Sequence, residues 1–560
     1  MRYGFFEKKR PCVVVLFRQC RSLEGSVMHR EKETIRSLLS ALVCLLSLSC
    51  MQAEKFSLDT SGIEGLLIGG LSYDGGLFGT NPSYTVGGSI SGYNGSGMVL
   101  QNNGTDSYTV PTGATDFTLP SGLADGSAFN VTVATAPGNP PQQCTVTGGT
   151  GTINAANAVG VSIACTDKAW GATQTVGNLS ANTTATPRIR NSIDGSGTGR
   201  IAYLDRMNAG VDPLWLLYQF TFSGGAWSAG QNFSGGGSHT DLGLSTNAAG
   251  KTIVAINATS ILGNAGVYTA LYEPTTGWDS AVTRIGTESC PDLRTGVTTN
   301  GQAVLTCLSS TFAINYAAFT QSIPTSFASS QSCSSCTGFS MTTAGNSVAL
   351  ASFQDSSINN SRVFRWTGAG WENTNTPNQS DNTGSAVSTN EAGTIFALFR
   401  DGNDDLLATN RTGSTWSSET TTGCAFNNEF SAGIDGNGNS IAAWISCADN
   451  QFIHIRMRSS QSGWQTLQSF DEGATIRKGP VIAVNEAGFG FVFWTVEDTP
   501  ARIRFVRINT ITGSVGAVQQ LATTGDGYSL EASINAKGQT VVSWSDGSSG
   551  AFSVKAKVLE

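Results

Sequence analysis

The chain has 560 residues, 67 of them glycine, with 39% apolar and only 13% charged residues and a net charge of −8. That length is more than one hydrophobic core usually serves. Low charge, abundant Gly, Ser, Thr and Asn and no helix-period stretch after residue 50 exclude a mainly helical protein and a disordered one, leaving all-β.

Residues 1–27 precede a more natural start at Met28 and are expected to be a non-native extension. Residues 28–50, "MHREKETIRSLLSALVCLLSLSC", have a charged start, an apolar run from Leu38 to Leu48 and small Ser49 before Cys50. This is the pattern of a secretory signal, and its apolar part is too short for a membrane span. The ending "LSLSC" resembles the lipobox of bacterial lipoproteins in the loose form that spirochaetes tolerate, with Ser47 where Leu is usual. The resemblance implies lipidation at Cys50, a membrane contact through that anchor, and an address at the cell envelope, at the outer membrane. Ahead of Cys50 lie nine Lys/Arg and four Asp/Glu, so removing that segment leaves 23 positive against 36 negative side chains, a net of −13. So acidic a body is a poor partner for nucleic acid.

Eight cysteines remain after Cys12, Cys20, Cys44 and Cys50 are set aside. An even remainder in an exported chain reads as disulfides. Local spacing suggests Cys144 with Cys165, Cys290 with Cys307, Cys333 with Cys336, and Cys424 with Cys447. A zinc site at the single CxxC, 333–336, would need a second ligand pair. His239 and His454 are the only histidines beyond the leader.

Residues 51–83 are Gly-rich without a sustained period and read as a tether. In residues 84–167, seven short runs separated by Gly, Asn and Pro turn signals predict a small immunoglobulin-like sandwich. Through "GMVLQNNG", "FNVTVATAP" and "QCTV…GVSIAC", this segment resembles a module repeated in many bacterial surface proteins. The resemblance implies a spacer in which Cys144 and Cys165 pair.

From residue 168 a motif recurs: a polar turn ending in glycine, then an apolar strand. The glycines are Gly197, Gly250, Gly301, Gly345, Gly393, Gly438, Gly488 and Gly538, at intervals of 44 to 53 residues. Trp170, Trp227, Trp278, Trp371, Trp416 and Trp464 open a strand ahead of a turn, and Tyr203, Phe399, Trp444, Trp494 and Trp544 follow the glycine by six residues. Such a period fits four-stranded propeller blades, each covering its neighbour's faces, and the aromatics read as blade packing. Residues 168–560 are therefore expected to form a β-propeller of eight blades. Seven stays open, because units four and eight lack the tryptophan.

The motifs HExxH, GxSxG and the phosphate loop do not occur in the sequence. "SIDGSGTG" and "GIDGNGNS" share only turn character with the Asp boxes of propeller sialidases. The hairpin after the motif strand is acidic in six units, through Asp205, Asp355, Asp401 with Asp404 and Asp405, Asp449, Glu497 with Asp498, and Asp546. These acids would form a broken negative ring on one rim, attractive to a cation or a basic surface; equally, Asp is a good turn former. Asp401, Asn403 and Asp405 alternate as calcium ligands do, with Leu406 where a glycine is expected.

The reading is an exported, monomeric, non-enzymatic binding platform for extracellular protein or glycan ligands, with no cofactor beyond that calcium. The alternatives are a carbohydrate-active propeller hydrolase or lyase and a structural envelope component.

Overall fold

In the computed structural model, the described residues are 82–560 apart from 180–186, 208–213, 230–232, 237–238, 262–263, 288–289, 291, 309–312, 333–336, 356–359, 375–383, 418–419, 526 and 548–551. The signal segment with Cys50, nearly all of the tether, and Cys333 with Cys336 lie outside them. The described elements are all β-strands.

Alternating apolar positions build the N-terminal module. In Ala128–Thr135, Phe129 and Val131 turn inward while their neighbours face solvent, the period-two signature of a half-buried strand. One sheet runs Asp116–Thr118, Val86–Ser91, Ala158–Asp167, Gln142–Thr147; the other runs Asp106–Thr109, Val99–Asn102, Ala128–Thr135, Thr150–Thr152. Ile90, Met98, Leu100, Phe117, Phe129 and Ile163 share one core. Ser83–Tyr84 pairs with Leu123–Ala124 beside these sheets, so the module has ten strands against the seven runs expected; Thr150–Thr152 carries no apolar alternation to mark it. Gly151 is needed there, since a Cβ would fall 2.6 Å from the Phe129 ring. Cys144 and Cys165 face each other across adjacent strands and are bonded.

Beyond the module the chain forms repeated antiparallel meanders of a β-propeller. Each sheet begins with an inner strand: Arg188–Ile193, His239–Thr246, Asp292–Val297, Thr337–Ala344, Gly384–Thr389, Thr420–Ile434, Ile476–Val484 and Glu531–Ile534. In the described residues each inner strand packs beside the next, and Glu531–Ile534 returns against Arg188–Ile193. Numbered from Arg188–Ile193, these are blades one to eight below. Thr420–Ile434 serves two blades: its start pairs with Asp405–Thr412 as an outer strand, and its end pairs with Ser440–Ser446 as an inner one. In the last sheet, Ser553–Leu559 pairs on its outer side with Gln174–Asn178, so early and late segments share one blade.

The second strand of each blade is sandwiched between neighbours. Every residue of Phe489–Val496 and Ser440–Ser446 is buried, which explains apolar runs without alternation. Trp494 shares a core with Ile441 and Ile455 of the preceding blade, and Trp544 shares one with Phe491 and Phe493. Burying such a side chain contributes about 2–3 kcal/mol. The disulfides Cys290–Cys307 and Cys424–Cys447 lie within this array.

The module is docked on the propeller. Asn139, 7% exposed, donates to the Ala487 carbonyl at 3.1 Å and accepts from the Asn509 amide at 2.9 Å. Pro141 lies on Gly538, whose φ of 73° and lack of Cβ permit the contact; a Cβ there would fall 2.4 Å from Pro141. A module expected to act as a spacer is thus hydrogen-bonded to blade seven and packed against blade eight.

Candidate binding site

Strand order fixes which loops share a rim. Turns from first to second strand and from third to fourth lie on one rim, and the second-to-third hairpins lie on the other.

On the first rim the repeated glycine completes a turn whose working residue sits three places earlier. At Asn485 the carbonyl accepts from Gly488 N at 3.0 Å, the amide donates to Phe489 O at 2.9 Å, and the side-chain oxygen accepts from Phe489 N at 3.0 Å. Gly488 has φ 81°; this is a type I turn closed by a left-handed residue. Asp194, Asn247, Thr298, Asn390, Asp435 and Asn535 hold the same position, each accepting from the residue after its glycine.

These turns also bond to the next blade. Asn247 Nδ2 donates to Thr298 O, Asn390 Nδ2 to Asp435 O and Asn535 Nδ2 to Asp194 O, each at 2.9 Å, and Asn485 Nδ2 reaches Asn535 O at 3.4 Å. The other junctions use Gly195 N to Ala248 O, Thr299 N to Gly345 O, Gly436 N to Glu486 O and Ser347 Oγ to Glu391 O. The eight links run around the rim and return to blade one. These turn residues were visible in the same alignment, but the cross-blade partners of Asn247, Asn390 and Asn485 lie 45 to 51 residues away and that of Asn535 lies 341 away, where no local pattern points.

On the opposite rim Asp401, Asp404, Asp449, Glu497, Asp498 and Asp546 are each tied to nearby groups. Asp205 does not belong to the hairpin: it lies inside Gly199–Met207 opposite Leu216 and is 1% exposed. Asp355 ends Ser347–Asp355, opposite Asn360. Asp401 Oδ1 accepts from Asn403 N at 2.8 Å and Asp405 N at 2.9 Å, while Asp404, with φ 69°, takes the glycine's left-handed place and pairs with Arg400. "DGNDD" is thus the same turn with an aspartate in the strained position. Asp449 caps Gln451 N, Asp498 pairs with Arg502, Glu497 pairs with Arg477, and Asp546 accepts from Gly525 N and Thr524 Oγ1. Among the described residues, no three His, Cys, Asp or Glu side chains come together as a metal cage.

Closer to the axis on this rim, the inner strands carry ion pairs between blades. Glu429 meets Lys478 at 3.1 Å and Glu531 meets Arg190 at 2.6 Å. Asp241, its side chain 2% exposed, receives Arg188 at 3.4 Å, Arg294 at 3.0 Å and Leu293 N at 2.8 Å, with Arg190 3.9 Å away. Burial works against the Arg190 charge, but Glu531, Asp241 and Asp292 outweigh it and raise its pKa. Three arginines therefore converge on an internal carboxylate.

The first rim also holds a recess of about 650 Å³ between blades two and three. Four turns build it, from residues 247–251, 273–279, 299–301 and 320–321. At its base Lys251, with a side chain 9% exposed, pairs with Glu273 at 2.6 Å and donates to the Thr320 carbonyl. Lys251 directly follows a motif glycine; nothing in the sequence joined it to residues 273 or 320.

No family model matches the chain, and no curated protein does. Among solved structures, the BP39L lectin from Burkholderia pseudomallei is 12% identical with a TM-score of 0.38, over 61% of this chain and 99% of that one. The Aleuria aurantia lectin, a six-bladed β-propeller, is 12% identical with a TM-score of 0.30, over 50% and 94%. The Hadza microbial sialidase Hz136 is 12% identical with a TM-score of 0.31, over 65% and 81%. Overlap this loose decides nothing about the site, and the architecture above rests on the chain's own pairings.

Proposed function

We propose that this chain is a non-enzymatic binding platform of a bacterial cell envelope, an exported lipoprotein held through Cys50. In this reading a tether carries an immunoglobulin-like sandwich fixed to an eight-bladed propeller, and a protein or glycan ligand is taken on the rim of the repeated turns. The observation that carries it is the recess between blades two and three: it is concave and polar, and the hydrogen-bonded ring holds its walls in place. Preformed sites of this kind bind with little ordering cost. The engagement of Arg188, Arg190 and Arg294 with Asp241, Asp292 and Glu531 favours binding over hydrolysis of anionic sugars, because three carboxylates already balance the three guanidiniums.

The test uses the full-length protein purified from membranes and presented to protein and glycan arrays. Saturable capture without turnover is expected, together with palmitate labelling that Cys50→Ser abolishes. Release of a cleaved product would replace this reading with an enzymatic one, and silence on both arrays would leave a structural component.

A further inference from the structure

In the recess between blades two and three the floor is spent and the walls are not. Lys251 Nζ is committed to Glu273 Oε1 and to the Thr320 carbonyl, so it fixes the floor instead of offering a free cation. Glu273 keeps its second carboxylate oxygen. Asp279 accepts the Leu271 amide at 2.9 Å through Oδ2, leaving Oδ1. Asn300 uses its Oδ1 on Thr298 and Gln302, leaving its amide protons. Thr275 and Gln321 add a hydroxyl and an amide at the exposed lip, and Pro274 adds an apolar surface.

Two carboxylates against one ammonium give the recess a net charge of −1, which repels anions. Ionised carboxylates accept from hydroxyls in short, strong hydrogen bonds, and side-chain amides supply both donors and acceptors. A volume of about 650 Å³ lies within the range of small-molecule sites, about 300–1,000 Å³. A ligand that donates many hydroxyls, carries no negative charge and has one apolar ring face satisfies each of these groups.

We infer that this recess is a saccharide site for uncharged, hydroxyl-rich oligosaccharides, with Glu273 and Asp279 accepting from sugar hydroxyls, Asn300 and Gln321 bridging ring substituents, and Pro274 lying under a ring face. This rests on the binding-platform reading and assigns its ligand class.

The experiment presents the full-length protein to an array of neutral and of sialylated or uronate-bearing oligosaccharides, then titrates the strongest neutral one. Binding of neutral members is expected, weakened at least tenfold by Glu273→Gln and by Thr275→Trp. Thr275→Trp fills the recess from its exposed lip without removing a buried contact, so it stays informative if Glu273→Gln impairs folding; thermal unfolding of each variant checks this. Val159→Ser, on the module surface, should leave binding unchanged. Neutral binding untouched by Thr275→Trp, or binding confined to acidic members, overturns the assignment. Capture of proteins with no glycan signal also overturns it while leaving the platform reading standing; silence on every array ends both.

Discussion

The two rims of the propeller solve the same problem with different chemistry. On the turn rim, each blade is joined to the next by uncharged hydrogen bonds from a short side chain or a backbone amide. On the hairpin rim, the inner strands are joined by ion pairs that depend on long side chains. The first kind is insensitive to salt and fixed by backbone geometry; the second is screened and adjustable. The rim with the rigid seam is the one that also carries the recess.

The largest effect that would break this comparison is expected at Asp241. Asp241→Ala leaves Glu531 and Asp292 to balance Arg188, Arg190 and Arg294 and strips an acceptor from the Leu293 amide. Removing one member of a buried ion-pair cluster costs about 3–5 kcal/mol. Urea unfolding should register this loss, and 1 M salt should reduce it by screening the arginines. Next comes Asn535→Ala, which orphans the Gln539 amide and the Asp194 carbonyl. About 2–4 kcal/mol is expected from unsatisfied buried groups, with no salt dependence; equal salt sensitivity in the two variants would erase the distinction between the rims.

The smallest effect concerns pH on the turn rim. Glu486 accepts the Glu391 amide across blade six at 3.1 Å. Burial, with Glu391 and Asp435 nearby, lifts its pKa from 4.5 to about 7. Between those values the folded protein holds a proton that the unfolded chain has released, so this group's contribution is full below about pH 4.5, falls as pH rises, and is lost above about pH 7. Glu486→Gln should flatten the decline of Tm from pH 5 to pH 8. An unchanged slope would locate the pH sensitivity elsewhere.

Much of the fold was legible because the repeat repeats its chemistry: a left-handed glycine, then a strand buried on both faces. The aromatics six residues on announced their packing role by size alone. The acids of the hairpins were equally visible, yet they serve different ends: Asp401 and Asp404 rebuild the glycine turn without glycine, Glu497 and Asp498 pair with arginines, and Asp205 lies inside a strand. Lys251, Glu273 and Thr320 become one group only after two blades are placed side by side, and Asp241 gathers arginines from 53 residues before and after it. Such sites have no sequence signature, because what defines them is the junction between repeats.

The strand shared by the two ends of the propeller bears on how the chain comes to be folded. Gln174–Asn178 emerges early and finds its hydrogen-bonding partner only when Ser553–Leu559 has followed. Until then the first and last blades each expose an uncovered face and an unpaired edge. During synthesis the ring stays open, and the last strand to be made sets when it can close.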